Sequence, residues 1–212
     1  MKGLIHIASQ GKQATVKGAN YERKITKKLT EGFGVEFHRT AYSGATSNGA
    51  SLAGIQSFTG DLFTTDERFN FSFELKTHEK FRLKDIFNNN KIFTNFLAQN
   101  VADAKRSNQV PVLILHSKQE REDYVILPFQ KDMDRLLQSN NFPCMTFRAH
   151  YKDDRTQQVY FYQLLVTDLQ SFTQATPEQL HTYYSKLDWN TLNKETQHID
   201  VIDVDEIVAG IE

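Results

Sequence analysis

An aspartate and a Glu-x-Lys triplet lie close together in the first half of the chain. The triplet, Glu74-Leu75-Lys76, ends an alternating segment that begins at Phe71. Successive side chains of a strand point to opposite faces, so Glu74 and Lys76 share one face and the apolar residues share the other. Asp61 lies on the predicted strand just before this one.

Two neighbouring carboxylates and a lysine suit the metal-assisted hydrolysis of a phosphodiester bond. A divalent cation relieves the repulsion between the carboxylates, and Mg²⁺ prefers such oxygen ligands. A bound metal lowers the pKa of a water molecule, and a lysine can orient that water or neutralise charge in the transition state. The same residues also fit a cross-strand salt bridge on a solvated sheet face, and their spacing alone leaves both interpretations open.

The composition is that of an ordinary globular protein. The chain has 212 residues, of which 39% are hydrophobic and 24% charged, and this length suits one domain with elaborations. The single cysteine, Cys144, excludes an intrachain disulfide and a zinc site built on cysteines. Neither a membrane span nor a signal peptide is evident, so we expect a soluble protein in a reducing cytoplasm.

Charge is distributed unevenly, although the formal net charge is only −1. Residues 1–110 hold 16 Lys and Arg against 10 Asp and Glu, a balance of +6, and the remainder has a balance of −7. A basic first half favours contact with a phosphate backbone, although chance clustering explains the same distribution.

The first predicted helix runs from about Tyr21 to Thr30, after an irregular arm formed by residues 1–17. Asn20 is the expected N-cap, and Gly32 and Gly34 are expected to end the helix.

Glu22 lies on the apolar stripe of this helix, together with Ile25 and Leu29. A carboxylate in that position is costly unless something pairs with it. It is either a first-turn glutamate that is favoured by the helix dipole and reaches water, or a group that points toward a metal site at Asp61 and Glu74.

The predicted strand from Val35 to Thr40 is followed by a loop, residues 41–51, that is rich in Gly, Ser, Thr and Asn. Arg39, Tyr42 and Ser43 are of the types that contact a DNA backbone, although a plain surface loop has the same composition.

The segment from Thr77 to Lys84 is basic, and it either grips DNA or forms a solvated turn. A helix is predicted from about Lys91 to Arg106. The nearly continuous apolar run from Val110 to His116 is typical of a strand buried on both faces, and Tyr124 to Phe129 is its expected neighbour. The predicted order is helix, three strands, helix, strand, strand.

Beyond residue 130 the pattern predicts further elements that extend the sheet. Lys131 to Ser139 is a predicted helix, and Met145 to His150 and Val159 to Thr167 are predicted strands. Thr176-Pro177 marks the start of a last helix. The acidic end, from His198 to Glu212, fits a terminal strand or helix, a partner-binding segment or a mimic that screens the basic face.

Several short motifs follow one another between residues 17 and 116. In order they are Lys17-Gly18, Tyr21-Glu22-Arg23, His38-Arg39-Thr40 with Ser43-Gly44, Gly60-Asp61, Glu74-Leu75-Lys76, the helix from Gln99 to Lys105, and Pro111-Val112-Leu113-Ile114. The set resembles the PD-(D/E)XK nucleases, and most closely the archaeal and phage Holliday junction resolvase-like endonucleases. Gly60 occupies the position at which the namesake proline of that superfamily often stands. The long segment between Arg39 and Asp61 departs from the resolvase pattern, as does the part after residue 130.

The resemblance implies an α/β fold with a restriction-endonuclease-like αβββαβ core, whose mixed central sheet is flanked by helices. Residues 1–130 would form this nuclease core, and residues 131–212 would form a C-terminal α/β extension packed on it, ending in the acidic tail. It also implies DNA cleavage that depends on Mg²⁺, for which Mn²⁺ would substitute.

The resemblance assigns catalytic roles to Glu22, Asp61, Glu74 and Lys76. Asp61, Glu74 and the backbone carbonyl of Leu75 would hold the metal, Glu22 would support it directly or through water, and Lys76 would orient the attacking water. The residues expected to contact DNA are Lys17, Arg23, Arg39, Tyr42, Ser43, Lys80, Arg82, Gln99 and Lys105.

Three functions fit these observations. The first is an endonuclease for branched DNA, which by resemblance would act as a homodimer in the cytoplasm of a bacterium, an archaeon or a phage-infected cell. The second is a sequence-specific endonuclease of the restriction or homing type. The third is a non-catalytic DNA-binding module on a nuclease fold. None of the three calls for an organic cofactor or a membrane.

Overall fold

The structure, a computed structural model, describes residues 2–40, 59–153 and 157–190, and for residues 2–17 the backbone alone. The predicted loop after Thr40 and the acidic end of the chain lie outside these ranges. In chain order the helices and strands are α1 (Lys2–Phe33), β1 (His38–Arg39), β2 (Leu62–Phe63), β3 (Phe71–His78), α2 (Leu83–Phe87), α3 (Lys91–Ser107), β4 (Val110–Ser117), β5 (Glu122–Pro128), α4 (Lys131–Ser139), β6 (Cys144–Lys152), β7 (Val159–Asp168), α5 (Leu169–Phe172) and α6 (Pro177–Tyr184).

The described strands form one mixed sheet in the order β1-β2-β3-β4-β5-β7-β6. β3 and β4 are parallel, and the other neighbouring strands are antiparallel. A parallel pair needs a long crossover, which α3 supplies. α3 contacts β3, β4 and β6, while α1 contacts β1 and β3. The prediction of an α/β fold with a mixed sheet flanked by helices is therefore confirmed.

The first helix is longer than the sequence pattern predicts. It begins at Lys2, so residues 2–17 continue the helix where an irregular arm was expected, and Asn20 lies inside the helix. No proline occurs before Pro111, and an interior glycine costs a helix only about 1 kcal/mol, which lowers its stability without ending it. The helix ends before Gly34, whose positive φ of 65° is the left-handed conformation common at this position.

The two strands before β3 are shorter than expected. β1 contains only His38 and Arg39, and Asp61 immediately precedes β2 instead of lying within it. The short helices α2 and α5 were not predicted from the sequence. Elements of two to five residues contain too little of a repeat for periodicity to reveal them.

The other predicted elements are confirmed. α3 and α4 span the expected residues, and β4 and β5 are antiparallel neighbours. Thr176 caps α6 by accepting a hydrogen bond from the amide of Gln179, and Pro177 is the first residue of that helix. β6 and β7 extend the sheet beyond β5. None of the described helices combines the length and the hydrophobicity needed to cross a membrane.

Candidate active site

Glu74 is a buried carboxylate, with 2% of the residue exposed. It lies on the β3 face that α3 covers, where the Gln99 side-chain amide donates a hydrogen bond of 2.8 Å to Glu74 Oε1. One residue further along α3, Asn100 donates to the carbonyl oxygen of Ser72 at 3.1 Å. The polar face of β3 is therefore packed against a helix and is not the solvated sheet face of the simple salt-bridge interpretation.

Lys76 reaches back along the same strand face to Glu74. Its ammonium group contacts Glu74 Oε1 and lies 5.7 Å from the centre of the Phe96 ring, and 23% of its side chain is exposed. The alternation predicted for β3 is confirmed, because the two charged side chains share one face while Phe73 and Leu75 lie in the core on the other.

Asp61 is fixed beside Glu74 by backbone contacts. Its Oδ2 accepts a 2.8 Å hydrogen bond from the amide of Leu75, and its own amide donates to the carbonyl oxygen of Phe73 at 2.6 Å. Gly60 makes this approach possible. It has a φ of 87°, and a Cβ at this position would lie 2.3 Å from the Phe73 oxygen. Proline, whose ring fixes φ near −65°, does not fit here.

Asp61 and Glu74, which we call the carboxylate pair, carry more negative charge than their surroundings neutralise. Burial raises the pKa of Glu74 to about 7, and the nearby Asp61 charge adds to the rise although Lys76 opposes it. Burial also raises the pKa of Asp61, with smaller contributions from Glu22 and Asp103, against the Leu75 amide and Lys76. Such a pair favours the binding of a cation or a proton.

Asp103 is a carboxylate of this site that the sequence analysis did not single out. It lies on α3 one turn after Gln99 and one turn before Ser107. Gln99 contacts Glu74, and the Ser107 hydroxyl contacts that of Thr59 at 2.6 Å, so this face of α3 points toward the carboxylate pair. Asp103 also pairs with Arg106. The spacing of four residues from Gln99 was the signal that could have revealed it.

Glu22 is mostly buried, as its position on the apolar stripe predicts, but its partner is Arg39. Arg39 Nε donates to Glu22 Oε2 at 2.7 Å, and Arg39 Nη2 contacts the same oxygen. β1 holds Arg39 beside the pair, because the amide of Thr40 donates to the carbonyl oxygen of Asp61 at 2.9 Å. Arg39 was expected to contact DNA, and in the structure its guanidinium neutralises Glu22.

The donors present fit a divalent metal ion at the carboxylate pair. Carboxylate oxygens are the ligands that Mg²⁺ prefers, and burial raises the pKa of both Asp61 and Glu74, so that a bound cation would stabilise their ionised forms. Across residues 2–40, 59–153 and 157–190, however, no three His, Cys, Asp or Glu side chains are grouped so that they could hold a metal ion. Glu22 therefore does not complete a three-donor set in this conformation.

The residues expected to bind DNA have varied surroundings. Lys80 and Arg82 line an open groove of about 560 Å³ beyond the end of β3. Arg23 contacts Asn20 on the helix surface at 2.8 Å. Lys105 lies 4.8 Å above the ring of Tyr160, away from the carboxylate pair. The side chain of Lys17, and Tyr42 and Ser43 in full, lie outside what the structure describes.

Comparison with known proteins identifies the family. The family described as "Phage putative PDDEXK endonuclease" matches residues 13–182, which include the carboxylate pair and run through β6 and β7 into α6. The chain belongs to this family. It is thus an endonuclease of the PD-(D/E)XK superfamily, an enzyme that acts on DNA. No curated protein and no solved structure matches the chain.

Proposed function

We propose that the protein is a Mg²⁺-dependent DNA endonuclease that uses Glu22, Asp61, Glu74 and Lys76 and prefers branched DNA. The observation that carries the proposal is the buried carboxylate pair, which has raised pKa values and contacts one lysine. A fold gains no stability from two buried carboxylates that repel each other, so their proximity is best explained by a cation that binds between them.

Each side chain has a role that follows from its contacts. Asp61 and Glu74 would hold the metal, with the Leu75 carbonyl as a further donor. When bound, the metal would lower the pKa of a water molecule and polarise the phosphate. Gln99 orients the Glu74 carboxylate through its hydrogen bond. Lys76, which contacts Glu74 and is partly exposed to solvent, would orient the attacking water.

The pair formed by Glu22 and Arg39 borders this site. Glu22 would support the metal through water, and Arg39, of which 30% of the side chain is exposed, would then be available to a phosphate. The basic residues Lys80 and Arg82 would hold the DNA backbone along the adjoining groove. We propose a homodimer in the cytoplasm of the infected cell, on the strength of the motifs shared with junction resolvases.

A second candidate is a sequence-specific endonuclease of the restriction or homing type. In this case the residues between Arg39 and Asp61 or the strands after residue 130 would read base edges. The third, a non-catalytic DNA-binding module, is disfavoured because all four residues of the proposed catalytic set are present.

The test is incubation of the purified protein with Mg²⁺ and a panel of four-way junction, flap, single-stranded, linear duplex and plasmid DNA. Symmetric nicking of the junction in preference to the other substrates is expected. Discrete plasmid fragments would support the sequence-specific candidate instead. No cleavage of any substrate with Mg²⁺ or Mn²⁺ would overturn the enzymatic proposal.

Site assignment is tested with Glu74→Ala and Lys76→Ala. Both are expected to abolish cleavage while DNA binding survives, because they remove a metal ligand and the group that orients water. Matched controls are Lys27→Ala and Glu31→Ala, which alter an exposed ion pair of α1. Cleavage at the rate of the unaltered protein in either site variant would show that the assignment is wrong.

A further inference from the structure

β6 and β7 form a two-stranded ribbon with one exposed face. The register pairs Arg148 with Gln163, His150 with Phe161, and Lys152 with Val159. Because side chains alternate along a strand, these three pairs share one face. All of these side chains are exposed except Phe161, which is half-buried. This ribbon face consists of Arg148, His150, Lys152, Val159, Phe161 and Gln163.

The opposite face of the ribbon is packed, so the exposure is not a sign of a loosely held hairpin. Ala149, Tyr151 and Tyr162 are buried, and the rings of Tyr151 and Tyr162 stack at 5.9 Å with 3° between their planes. The ribbon face is therefore backed by a layer of packed side chains.

The ribbon face combines cations with an aromatic ring. The Arg148 guanidinium lies 4.5 Å above the Phe161 ring, and the His150 ring lies 5.7 Å from the same ring. Lys152 follows one pair further along. The six positions include no carboxylate, and Asp153 lies beyond the last pair of the register. The chemistry of this face is complementary to a phosphate backbone and to base edges in a groove, where an aromatic ring can contact thymine methyl groups.

The ribbon face is separate from the carboxylate pair. β6 lies four strands from β3, which is roughly 19 Å at the usual spacing of strands. When the strand pairs are followed across the sheet, Arg148 lies on the same side of the sheet as Leu75, and Glu74 lies on the opposite side. Substitutions on this face can therefore alter binding without touching the residues proposed for hydrolysis.

We propose that the ribbon face binds duplex DNA as a second contact surface. A two-stranded ribbon fits the major groove, and Arg and Gln side chains make paired hydrogen bonds with guanine and adenine edges. Arg148 and Gln163 lie opposite each other in the register. Lys152 belongs to the last pair of the ribbon, where its ammonium group would contact a DNA phosphate. The proposal rests on the proposed function for the identity of the partner, and it assigns an anchoring role to strands outside the catalytic set.

The test compares Arg148→Ala/Lys152→Ala with the control Lys131→Ala/Arg135→Ala, which removes the same two residue types from the exposed surface of α4. Affinity for a labelled linear duplex is measured by fluorescence anisotropy with Ca²⁺ in place of Mg²⁺, over a series of salt concentrations. The ribbon variant is expected to bind about tenfold more weakly, and its salt slope is expected to fall by about 2. The control is expected to match the unaltered protein, and circular dichroism should show equal folding.

The outcomes separate this proposal from the proposed function. Unchanged affinity and salt slope in the ribbon variant would overturn the proposal, even if the protein cuts DNA normally. Weaker binding with an unchanged cleavage rate at saturating DNA supports it, because the ribbon face then contributes to affinity alone. Phe161→Ala serves as a second variant, and a loss of affinity there supports the participation of the ring. Binding to an acidic peptide with no binding to duplex DNA would also overturn the proposal.

Discussion

Buried carboxylates lie on opposite sides of the same sheet, and they differ in how far their neighbours neutralise them. On the α3 side, burial raises the pKa values of Asp61 and Glu74, and the charge of Asp61 adds to the rise at Glu74. On the α1 side, Asp123 of β5 has a side chain that is only 6% exposed, yet its pKa is held below the ordinary value.

The neighbours of Asp123, which together with it form the Asp123 cluster, explain why its pKa is lowered although it is buried. Burial alone would raise the pKa of Asp123, but Lys28 at 2.7 Å, Lys24 at 3.6 Å and His116 at 2.8 Å outweigh that effect. Lys24, Lys28 and His116 join α1 and β4 to β5, and the two lysines neutralise the Asp123 carboxylate without any further ion. The carboxylate pair has the opposite composition, with more anions than cations. A buried carboxylate that its neighbours leave poorly neutralised indicates a site for a ligand, whereas one that neighbouring cations neutralise indicates a structural role.

Glu74→Gln is the change with the largest expected effect on activity. Cleavage should fall by about 1,000-fold or more, because the charge that holds the metal is lost. The raised pKa of Glu74 means that ionisation destabilises the metal-free fold above the ordinary glutamate pKa of about 4.3. With a chelator present, the variant should be about 2 kcal/mol more stable at pH 8, and the difference should vanish near pH 4.

Urea denaturation of both proteins across this pH range measures the effect. An equal loss of stability at pH 4 and pH 8 would contradict the charge argument, because it would indicate that the substitution disturbs packing.

Gly60→Ala should break the positioning of the carboxylate pair. The added Cβ would lie 2.3 Å from the Phe73 oxygen, so the backbone must shift and move Asp61. We expect a loss of about 3 kcal/mol in the free energy of unfolding, and about 100-fold slower cleavage.

The matched control is Gly34→Ala. Gly34 also has a positive φ, of 65°, but no atom lies within 4 Å of the position of a Cβ. That variant should lose only about 1 kcal/mol and should cleave normally. Similar losses in both variants, measured by denaturation, would show that the close approach to Phe73 is unimportant.

Asp123→Asn should change the free energy of unfolding in the direction opposite to that of Glu74→Gln. Because the folded pKa of Asp123 is lowered, its stabilising effect is present above the unfolded pKa of about 3.9 and is lost as pH falls through the folded pKa. The variant should be about 2 kcal/mol less stable at pH 7, and the two stabilities should converge below about pH 4. Cleavage at a permissive temperature should be unchanged. A cleavage defect in a fully folded sample would show that the cluster is more than structural.

Asp103→Asn is expected to have the smallest effect. Asp103 is about one helical turn from the groups that contact the carboxylate pair, and its charge adds to the negative potential there. Its loss should slow cleavage about tenfold with little change in stability. Single-turnover rates measured at several Mg²⁺ concentrations test this prediction, with Asp132→Asn on α4 as a surface control. If added Mg²⁺ restores the full rate, the residue acts through metal affinity.

The sequence revealed the parts of the site that depend on local pattern. Alternation placed Glu74 and Lys76 on one face of β3, and helical spacing placed Glu22 on the buried stripe of α1. It could not reveal that Gln99 binds Glu74 or that Arg39 binds Glu22, because these contacts join residues 25 and 17 positions apart. The contact between Lys28 and Asp123 spans 95 positions.

The predictions of the fold failed where the structure depends on contacts beyond the local sequence pattern. The candidate N-cap Asn20 favoured a first helix that starts at about Tyr21, whereas α1 begins at Lys2 and continues through Asn20. β1 and β2 are too short to show a repeat, and they form because β3 offers β2 an edge to pair with and β2 in turn pairs with β1. Burial of the polar face of β3 was also unpredictable, since it depends on where α3 packs.

The strand order β5-β7-β6 constrains how this protein can fold. β6 is synthesised before β7, but it pairs with β7 and not with β5 in the finished sheet. While the chain is being made, residues 144–152 therefore have no partner strand, and the edge of β5 is left uncovered. The hairpin of β6 and β7 forms locally within microseconds, much faster than a typical domain folds. It is then expected to add to β5 as a preformed unit, which shortens the time that this aggregation-prone edge is exposed.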